Sequence, residues 1–137
     1  MNVIHPTAVI DRGAELGDDV EVGPHCYIGP KAVLGDGCRL LHNVSILGVT
    51  TIGARNEFYP GCVIGASPQD LKYKGTETDL VIGNDNVFRE HVTVHPGTEI
   101  GSGTTQIADH NRFLIGVHIA HDVQVGSHCV ITNMVQI

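Results

Sequence analysis

The sequence has 137 residues and a formal net charge of −7 at pH 7, and 42% of its residues are hydrophobic. This length predicts one domain, and the negative charge argues against general attraction to nucleic acid or to an anionic membrane surface. Because no apolar run is long enough to span a bilayer and no signal peptide is recognisable, we expect no membrane insertion.

A large apolar residue recurs every six positions from the start of the chain, which fits neither a helix nor an alternating strand. This period is typical of a coil of three short strands, stacked so that equivalent side chains form ladders. Twenty-one hexapeptides predict an all-β parallel solenoid of about seven coils, with a slip of one residue after Ile100. The predicted ladder residues are Ile4, Ile10, Leu16, Val22, Ile28, Leu34, Leu40, Ile46, Ile52, Phe58, Ile64, Ile82, Phe88, Val94, Ile100, Ile107, Phe113, Ile119, Val125, Ile131 and Ile137.

The four cysteines all lie four positions after a ladder residue, where the repeat carries small or medium side chains that should point inward. This register favours buried, reduced thiols that pack as small apolar groups over a disulfide or a metal site. Reduced thiols and the missing signal peptide both predict a cytoplasmic protein. The residues concerned are Cys26, Cys38, Cys62 and Cys129.

The repeat breaks between Ile64 and Ile82, where we predict an inserted loop over residues 66–80 that leaves the coil at a corner. Loops on rigid scaffolds often carry binding residues, and a solvated surface loop is the alternative interpretation. A smaller break lies over residues 101–105. The polar groups of the larger loop that could bind a ligand are Gln69, Asp70, Lys72, Tyr73 and Lys74.

Candidate chemistry is concentrated in residues 116–122. His118 precedes the ladder residue Ile119 and should point outward, whereas His121 lies near a corner and is followed directly by Asp122. A histidine whose second ring nitrogen is held by a carboxylate is a standard general base. A zinc site is the alternative, since outward histidines on neighbouring coils can converge on a metal. Five other histidines are interpreted as exposed or turn residues: His5, His25, His42, His110 and His128.

Four stretches appear in an order that resembles one enzyme family: residues 4–8 (IHPTA), 68–73 (PQDLKY), 89–95 (REHVTVH) and 118–122 (HIAHD). Over essentially the whole chain they resemble the acyl-carrier-protein:UDP-N-acetylglucosamine O-acyltransferases of lipid A biosynthesis. The resemblance implies a left-handed parallel β-helix, a hand that the usual crossover rule would not give. It also implies a homotrimer with active sites in the clefts between subunits. Its reaction would transfer a 3-hydroxyacyl group from acyl carrier protein to the 3-hydroxyl of UDP-N-acetylglucosamine.

The resemblance further implies that His121 is the general base for the sugar 3-hydroxyl and that Asp122 orients it. No metal and no cofactor are required. At position 96 the family usually has arginine, and this sequence has Pro96. The family also continues for several coils into a C-terminal helical domain, and we interpret residues 1–137 as a single β-helix domain without those parts. The substrate-binding residues that the resemblance implies are Gln69, Asp70, Lys72, His95 and His118.

Two other functions remain open at this point. One is a non-catalytic trimeric β-helix scaffold or sugar-nucleotide binder. The other is a zinc enzyme of the γ-carbonic-anhydrase type, whose paired ligands resemble a His-x4-His spacing. This sequence offers a three-residue gap between His91 and His95, and a two-residue gap between His118 and His121.

Overall fold

The structure, a computed structural model, describes residues 1–137. It contains 19 short β-strands and no helix, so no helix is present that could cross a membrane. The strands are Val3–Ile4 (β1), Val9–Ile10 (β2), Glu15–Leu16 (β3), Glu21–Val22 (β4), Tyr27–Ile28 (β5), Val33–Leu34 (β6), Arg39–Leu40 (β7), Ser45–Ile46 (β8), Val49–Ile52 (β9), Glu57–Phe58 (β10), Val63–Ile64 (β11), Asp79–Ile82 (β12), Val87–Phe88 (β13), Thr93–Val94 (β14), Thr104–Ile107 (β15), Arg112–Phe113 (β16), His118–Ile119 (β17), Gln124–Val125 (β18) and Val130–Ile131 (β19).

The strands form three parallel sheets, in which neighbouring strands are three apart in the chain. The first sheet holds seven strands, from β1 to β19. The second (β2 to β17) and the third (β3 to β18) hold six each. An isolated parallel bridge between His118 and Gln136 begins a seventh rung of the second sheet. Each coil therefore contributes one strand to each sheet, and the predicted parallel solenoid of about seven coils is confirmed.

Nineteen of the 21 predicted ladder residues are the last residue of a strand, where the alternation of side chains directs them to the interior face. The side chain before it faces outward, so most strands have one buried and one less buried residue. Three phenylalanines stack in the first sheet: the ring centroids of Phe58 and Phe88 lie 4.8 Å apart, and those of Phe88 and Phe113 lie 5.0 Å apart. Such offset ring pairs add stability beyond the apolar area that they bury.

The prediction for Ile100 was wrong. Ile100 lies in a turn outside any strand, and its side chain is 60% exposed. The third-sheet residue of this coil is instead Ile107, which pairs with Ile82 of the preceding coil. Thirteen residues separate Val94 from Ile107 instead of six, so the one-residue slip is in fact a second insertion at the corner between β14 and β15.

The larger insertion, between β11 and β12, ends two residues earlier than the predicted range of 66–80. Strand β12 begins at Asp79, and Leu80 is fully buried between Thr50 and Thr105 of the neighbouring third-sheet strands. A leucine in that position belongs to the core, because it extends the four-residue strands of this sheet inward at the corner.

The small inward position also holds polar side chains that the repeat did not predict: the buried residues Asn56, Asn86 and Asn111. Asn86 Nδ2 donates to Asn56 Oδ1 (3.0 Å) and to the Ala108 carbonyl (2.9 Å), and its Oδ1 accepts the Asn111 amide (2.9 Å). These bonds satisfy main-chain groups at the corner between the third and first sheets, where the chain turns between coils.

The four cysteines are free thiols, and three of them, Cys26, Cys38 and Cys62, are buried. Burial raises the pKa of the Cys62 thiol to about 12, so it stays protonated at neutral pH. Cys129 occupies the same repeat position but is only partly buried, because it lies in the last coil of the chain.

A recurring backbone conformation explains much of the histidine content. Ten non-glycine residues have φ between 52° and 65°, and each lies three positions after a ladder residue, at a corner of the coil. Histidine, asparagine and aspartate tolerate this left-handed conformation better than most residues. Four of the nine histidines occupy such corners: His25, His91, His110 and His128.

Candidate active site

Three successive connections stack at one corner of the solenoid, between the second and third sheets. They are residues 65–78 after β11, residues 95–103 after β14 and residues 120–123 after β17. Because β11, β14 and β17 are neighbours in the second sheet, these connections lie one above another. Both insertions in the repeat and the His121–Asp122 pair therefore meet at the same edge of the molecule.

An open cavity of about 370 Å³ lies at this edge. Five of the seven residues that the sequence proposed for the site line the cavity, and Gln136 and Ile137 close it from the last coil. Asp122 lies behind the cavity wall, and Lys72 does not contribute to the wall. The five lining residues are Gln69, Asp70, His95, His118 and His121.

The imidazole of His121 is held by the carboxylate next to it in the chain. His121 Nδ1 lies 2.9 Å from Asp122 Oδ2. An ionised carboxylate can only accept hydrogen bonds, so the hydrogen is on Nδ1 and the lone pair of the neutral ring is on Nε2. This arrangement leaves Nε2 free to accept a proton from a molecule in the cavity.

Asp122 accepts more hydrogen bonds than its own turn could supply. Its Oδ2 accepts the Thr98 hydroxyl (2.6 Å), while its Oδ1 accepts the amides of Thr98 (2.9 Å) and Gly103 (3.1 Å). Partial burial disfavours the charged carboxylate. The donors of Thr98, His121 and Gly103 outweigh that effect and hold the pKa of Asp122 well below its ordinary range. The residue is therefore ionised at every pH at which the fold would be used.

A second carboxylate approaches the other nitrogen of the same ring. Asp70 Oδ2 lies 3.7 Å from His121 Nε2, across from Asp122. Asp70 is itself fixed by its loop, since its Oδ1 accepts the main-chain amide of Lys72 (3.1 Å) and its carbonyl accepts that of Tyr73 (2.9 Å). In this geometry Lys72 contributes its amide to the site while its charged side chain is exposed.

Two further histidines line the cavity beside His121. The rings of His95 and His118 meet edge to face with centroids 4.7 Å apart, and His118 Nδ1 lies 2.8 Å from the Thr93 hydroxyl. Burial, reinforced by the neighbouring histidines, lowers the pKa of both rings. His95 Nδ1 and His118 Nε2 are buried and have no hydrogen-bond partner within the chain.

Pro96, which stands where the resemblance led us to expect arginine, is buried beside a smaller cavity of about 220 Å³. The ion pair between Lys31 and Glu77 lies at the same cavity, under the larger insertion. No three His, Cys, Asp or Glu side chains are grouped as a metal site would require. His95, His118 and His121 share one cavity, but they are not grouped as the ligands of one metal ion.

Comparison with known proteins identifies relatives of this chain. The model of the bacterial transferase hexapeptide family (six repeats) matches residues 3–36. An acyl-[acyl-carrier-protein]–UDP-N-acetylglucosamine O-acyltransferase of Syntrophobacter fumaroxidans is 47% identical over 131 residues, which is 96% of this chain and 51% of the relative. Nearly the whole chain is therefore similar to acyltransferases of this name. It spans about half the length of the curated relatives that it matches.

Solved structures of family members extend the agreement to the fold. LpxA from Acinetobacter baumannii superposes with a TM-score of 0.96 at 45% identity, over 98% of this chain and 52% of that protein. LpxA from Bacteroides fragilis, a UDP-N-acetylglucosamine acyltransferase, gives 0.95 at 41% identity, over 98% and 52%. The predicted left-handed parallel β-helix is confirmed by these matches.

Thr98 is the site residue that the sequence did not reveal. Its side chain is 1% exposed, although it lies in an insertion that the ladder pattern treated as a slip. The distance of thirteen residues between Val94 and Ile107 was the available signal, because an insertion at a corner brings additional groups over the neighbouring coil.

Proposed function

We propose that this chain carries the acyl-transfer site of a UDP-N-acetylglucosamine O-acyltransferase, with His121 as general base. The observation that supports this most directly is the orientation of the imidazole: Nδ1 is bound to Asp122, and Nε2 opens into the cavity. The names of the family's members supply the substrates, which are an acyl carrier protein and UDP-N-acetylglucosamine.

The proposed reaction is direct acyl transfer from the carrier thioester. His121 Nε2 takes the proton of the sugar 3-hydroxyl as the oxygen attacks the carbonyl carbon of the 3-hydroxyacyl thioester. The tetrahedral adduct then collapses, the carbon–sulfur bond breaks, and the imidazolium returns its proton to the departing thiolate. Asp122 on one side and Asp70 on the other stabilise the imidazolium that exists between these two steps.

The remaining residues that line the cavity suit a polyhydroxylated ligand. Gln69 and Asp70 offer acceptors from the larger insertion. His95 and His118 contribute their imidazole rings to the wall of the same cavity. We assign these four residues to binding of the acceptor, and we assign Lys72 to the same ligand through its exposed ammonium.

We propose a homotrimer in the cytoplasm, with the site completed by a neighbouring subunit. Leu71 supports an interface at the larger insertion, since this apolar side chain is fully exposed beside two residues of the site. The free thiols support a reducing compartment. Because this chain is acidic, we place docking of the acidic carrier protein on the half of the relatives that the chain does not span. Light scattering at micromolar concentration tests the trimer.

The decisive experiment uses a chimera in which these 137 residues are followed by the remaining half of the S. fumaroxidans relative. Acyl transfer from a 3-hydroxyacyl carrier protein to UDP-N-acetylglucosamine is measured for wild type and His121→Ala. General-base catalysis typically contributes about 10²- to 10⁴-fold, so kcat should fall by that factor. The matched control is His42→Ala, because His42 also lies two positions after a ladder residue but is exposed. Full activity of His121→Ala would overturn the proposal.

A further inference from the structure

We propose that Thr98 is a positioning residue that acts through Asp122 to set the orientation and tautomer of His121. This inference rests on the proposed role of His121 as a base. Thr98 contacts neither the cavity nor the imidazole, and its two hydrogen bonds to Asp122 give it influence over the base.

The direction of the Thr98 hydroxyl is determined by its neighbours. Thr98 Oγ1 accepts the main-chain amide of Gly101 (3.1 Å), so its own hydrogen is free to point at Asp122 Oδ2, 2.6 Å away. This Oδ2 is the same atom that binds His121 Nδ1. The hydroxyl therefore fixes the oxygen on which the tautomer of the base depends.

The insertion around Thr98 is built so that its donors converge on this carboxylate. Its base is closed by two main-chain bonds to β12, from the Gly97 amide to the Asp79 carbonyl and from the Asp79 amide to the Gly103 carbonyl, both 3.1 Å. The carboxylate of Asp122 occupies the space that a side chain at Gly101 would need. A corner without the insertion lacks these donors. The additional residues therefore give Asp122 hydrogen bonds that a six-residue repeat alone does not provide.

Another corner of the same solenoid has an amide in place of the Asp122 carboxylate and none of these donors. His42 and Asn43 occupy the same repeat positions as His121 and Asp122, and Asn43 shares the left-handed backbone. Asn43 Nδ2 lies 3.2 Å from His42 Nδ1, so the amide donates and the ring nitrogen accepts. His42 thus has the opposite tautomer, with its hydrogen on Nε2. The backbone of the corner alone does not select the tautomer that a base requires.

Nitrogen NMR of the histidine rings tests the proposal on the 137-residue chain without any assay of activity. Two-bond proton–nitrogen correlations, recorded at about pH 8.5 where an ordinary imidazole is neutral, identify which nitrogen of each ring carries the hydrogen. Wild type is compared with Thr98→Val, Thr98→Ala and Thr98→Ser. Thr93→Val is the matched control, because its hydroxyl faces His118 and not the His121–Asp122 pair.

We expect His121 in wild type to show the signature of a single tautomer with the hydrogen on Nδ1, and Thr98→Ser to retain it. Thr98→Val and Thr98→Ala should lose it and give the averaged signature of an unrestrained imidazole, while His42 is unchanged. The alanine side chain is smaller than threonine, so Thr98→Ala still allows the His121 tautomer to be measured if Thr98→Val disturbs the fold. Retention of the Nδ1–H signature in either folded variant would overturn the role of Thr98, whether or not His121 is the catalytic base.

Discussion

Asp70 and Asp122 lie at opposite ends of the same imidazole: Asp122 Oδ2 lies 2.9 Å from His121 Nδ1, and Asp70 Oδ2 lies 3.7 Å from Nε2. The two carboxylates come from different coils, since Asp70 belongs to the larger insertion and Asp122 to the corner two coils further on. The neutral ring makes no hydrogen bond to Asp70, because Nε2 and the carboxylate are both acceptors. Asp70 becomes a partner only when the ring takes up a proton.

Asp70→Asn should therefore impair catalysis moderately. A partly exposed ion pair contributes on the order of 1 kcal/mol, so we expect kcat/KM of the chimera to fall by about 5-fold, and by less at high salt. The control is Glu77→Gln, a carboxylate of the same loop that pairs with Lys31 and not with His121. An equal loss in both variants would show that the loop, and not the charge beside Nε2, matters.

Ile28→Asp and Ile100→Asp test the register of the ladder. The six-residue pattern treats these two isoleucines alike, but Ile28 is fully buried and Ile100 is exposed in a turn. A carboxylate at Ile28 should lower the free energy of unfolding by several kcal/mol, since it is buried without a partner. The same change at Ile100 should alter it by less than about 0.5 kcal/mol. Urea denaturation of both variants measures the difference, and similar values would refute the register.

Asn86→Asp tests the asparagine ladder. The new oxygen replaces a nitrogen that donates to Asn56 Oδ1 and to the Ala108 carbonyl, so acceptor faces acceptor in a buried site. We expect a loss of about 3 kcal/mol in the free energy of unfolding at pH 7. Part of it should return in mild acid as the carboxyl group takes a proton and can donate again. Asn43→Asp, at an exposed corner, is the control and should change stability little.

The stability of the chain should fall as the pH is lowered from about 8 to about 5.5. The pKa values of His95 and His118 lie below the ordinary value of 6.5, so the unfolded chain binds more protons in this range. Their contribution to stability is complete above the unfolded pKa and is lost as the pH falls through the folded pKa. Urea midpoints across this range should show a smaller dependence in the double variant with His95→Gln and His118→Gln. If the double variant shows the same change of urea midpoint with pH as wild type, His95 and His118 are not the source of the pH dependence. His42→Gln is the control.

The fold could be predicted from the sequence because its core repeats. An apolar residue ends each of the nineteen strands, so the pattern remains recognisable even where one position is ambiguous. The prediction failed at Ile100, where an insertion of seven residues mimicked one full hexapeptide plus a single additional residue. An apolar residue in a loop can fall in phase with the ladder by chance, and only the pairing of Ile107 with Ile82 shows which residue completes the coil.

The site was less predictable because its chemistry depends on groups that carry no pattern. His42–Asn43 and His121–Asp122 are the same motif in the repeat, and their sequence differs in a single amide. What separates them is the carboxylate that replaces the amide, together with the donors that Thr98 and Gly103 bring to it from another coil. The sequence predicted the pair of His121 and Asp122, but it could not show that donors 19 to 24 residues earlier point at the carboxylate.

The left-handed corner has a consequence for how such a scaffold acquires chemistry. Most corners of the coil have a residue with positive φ, and the non-glycine residues at these positions are mainly polar and often able to bind protons. The backbone thus places aspartate, asparagine and histidine on the outer edges at regular heights, before any ligand is involved. Asp122 is one of these residues, with φ of 65°. A carboxylate that the backbone of the corner already favours can therefore take on a role in the site. The insertion supplies the hydrogen-bond donors that fix this carboxylate so that it can orient a histidine.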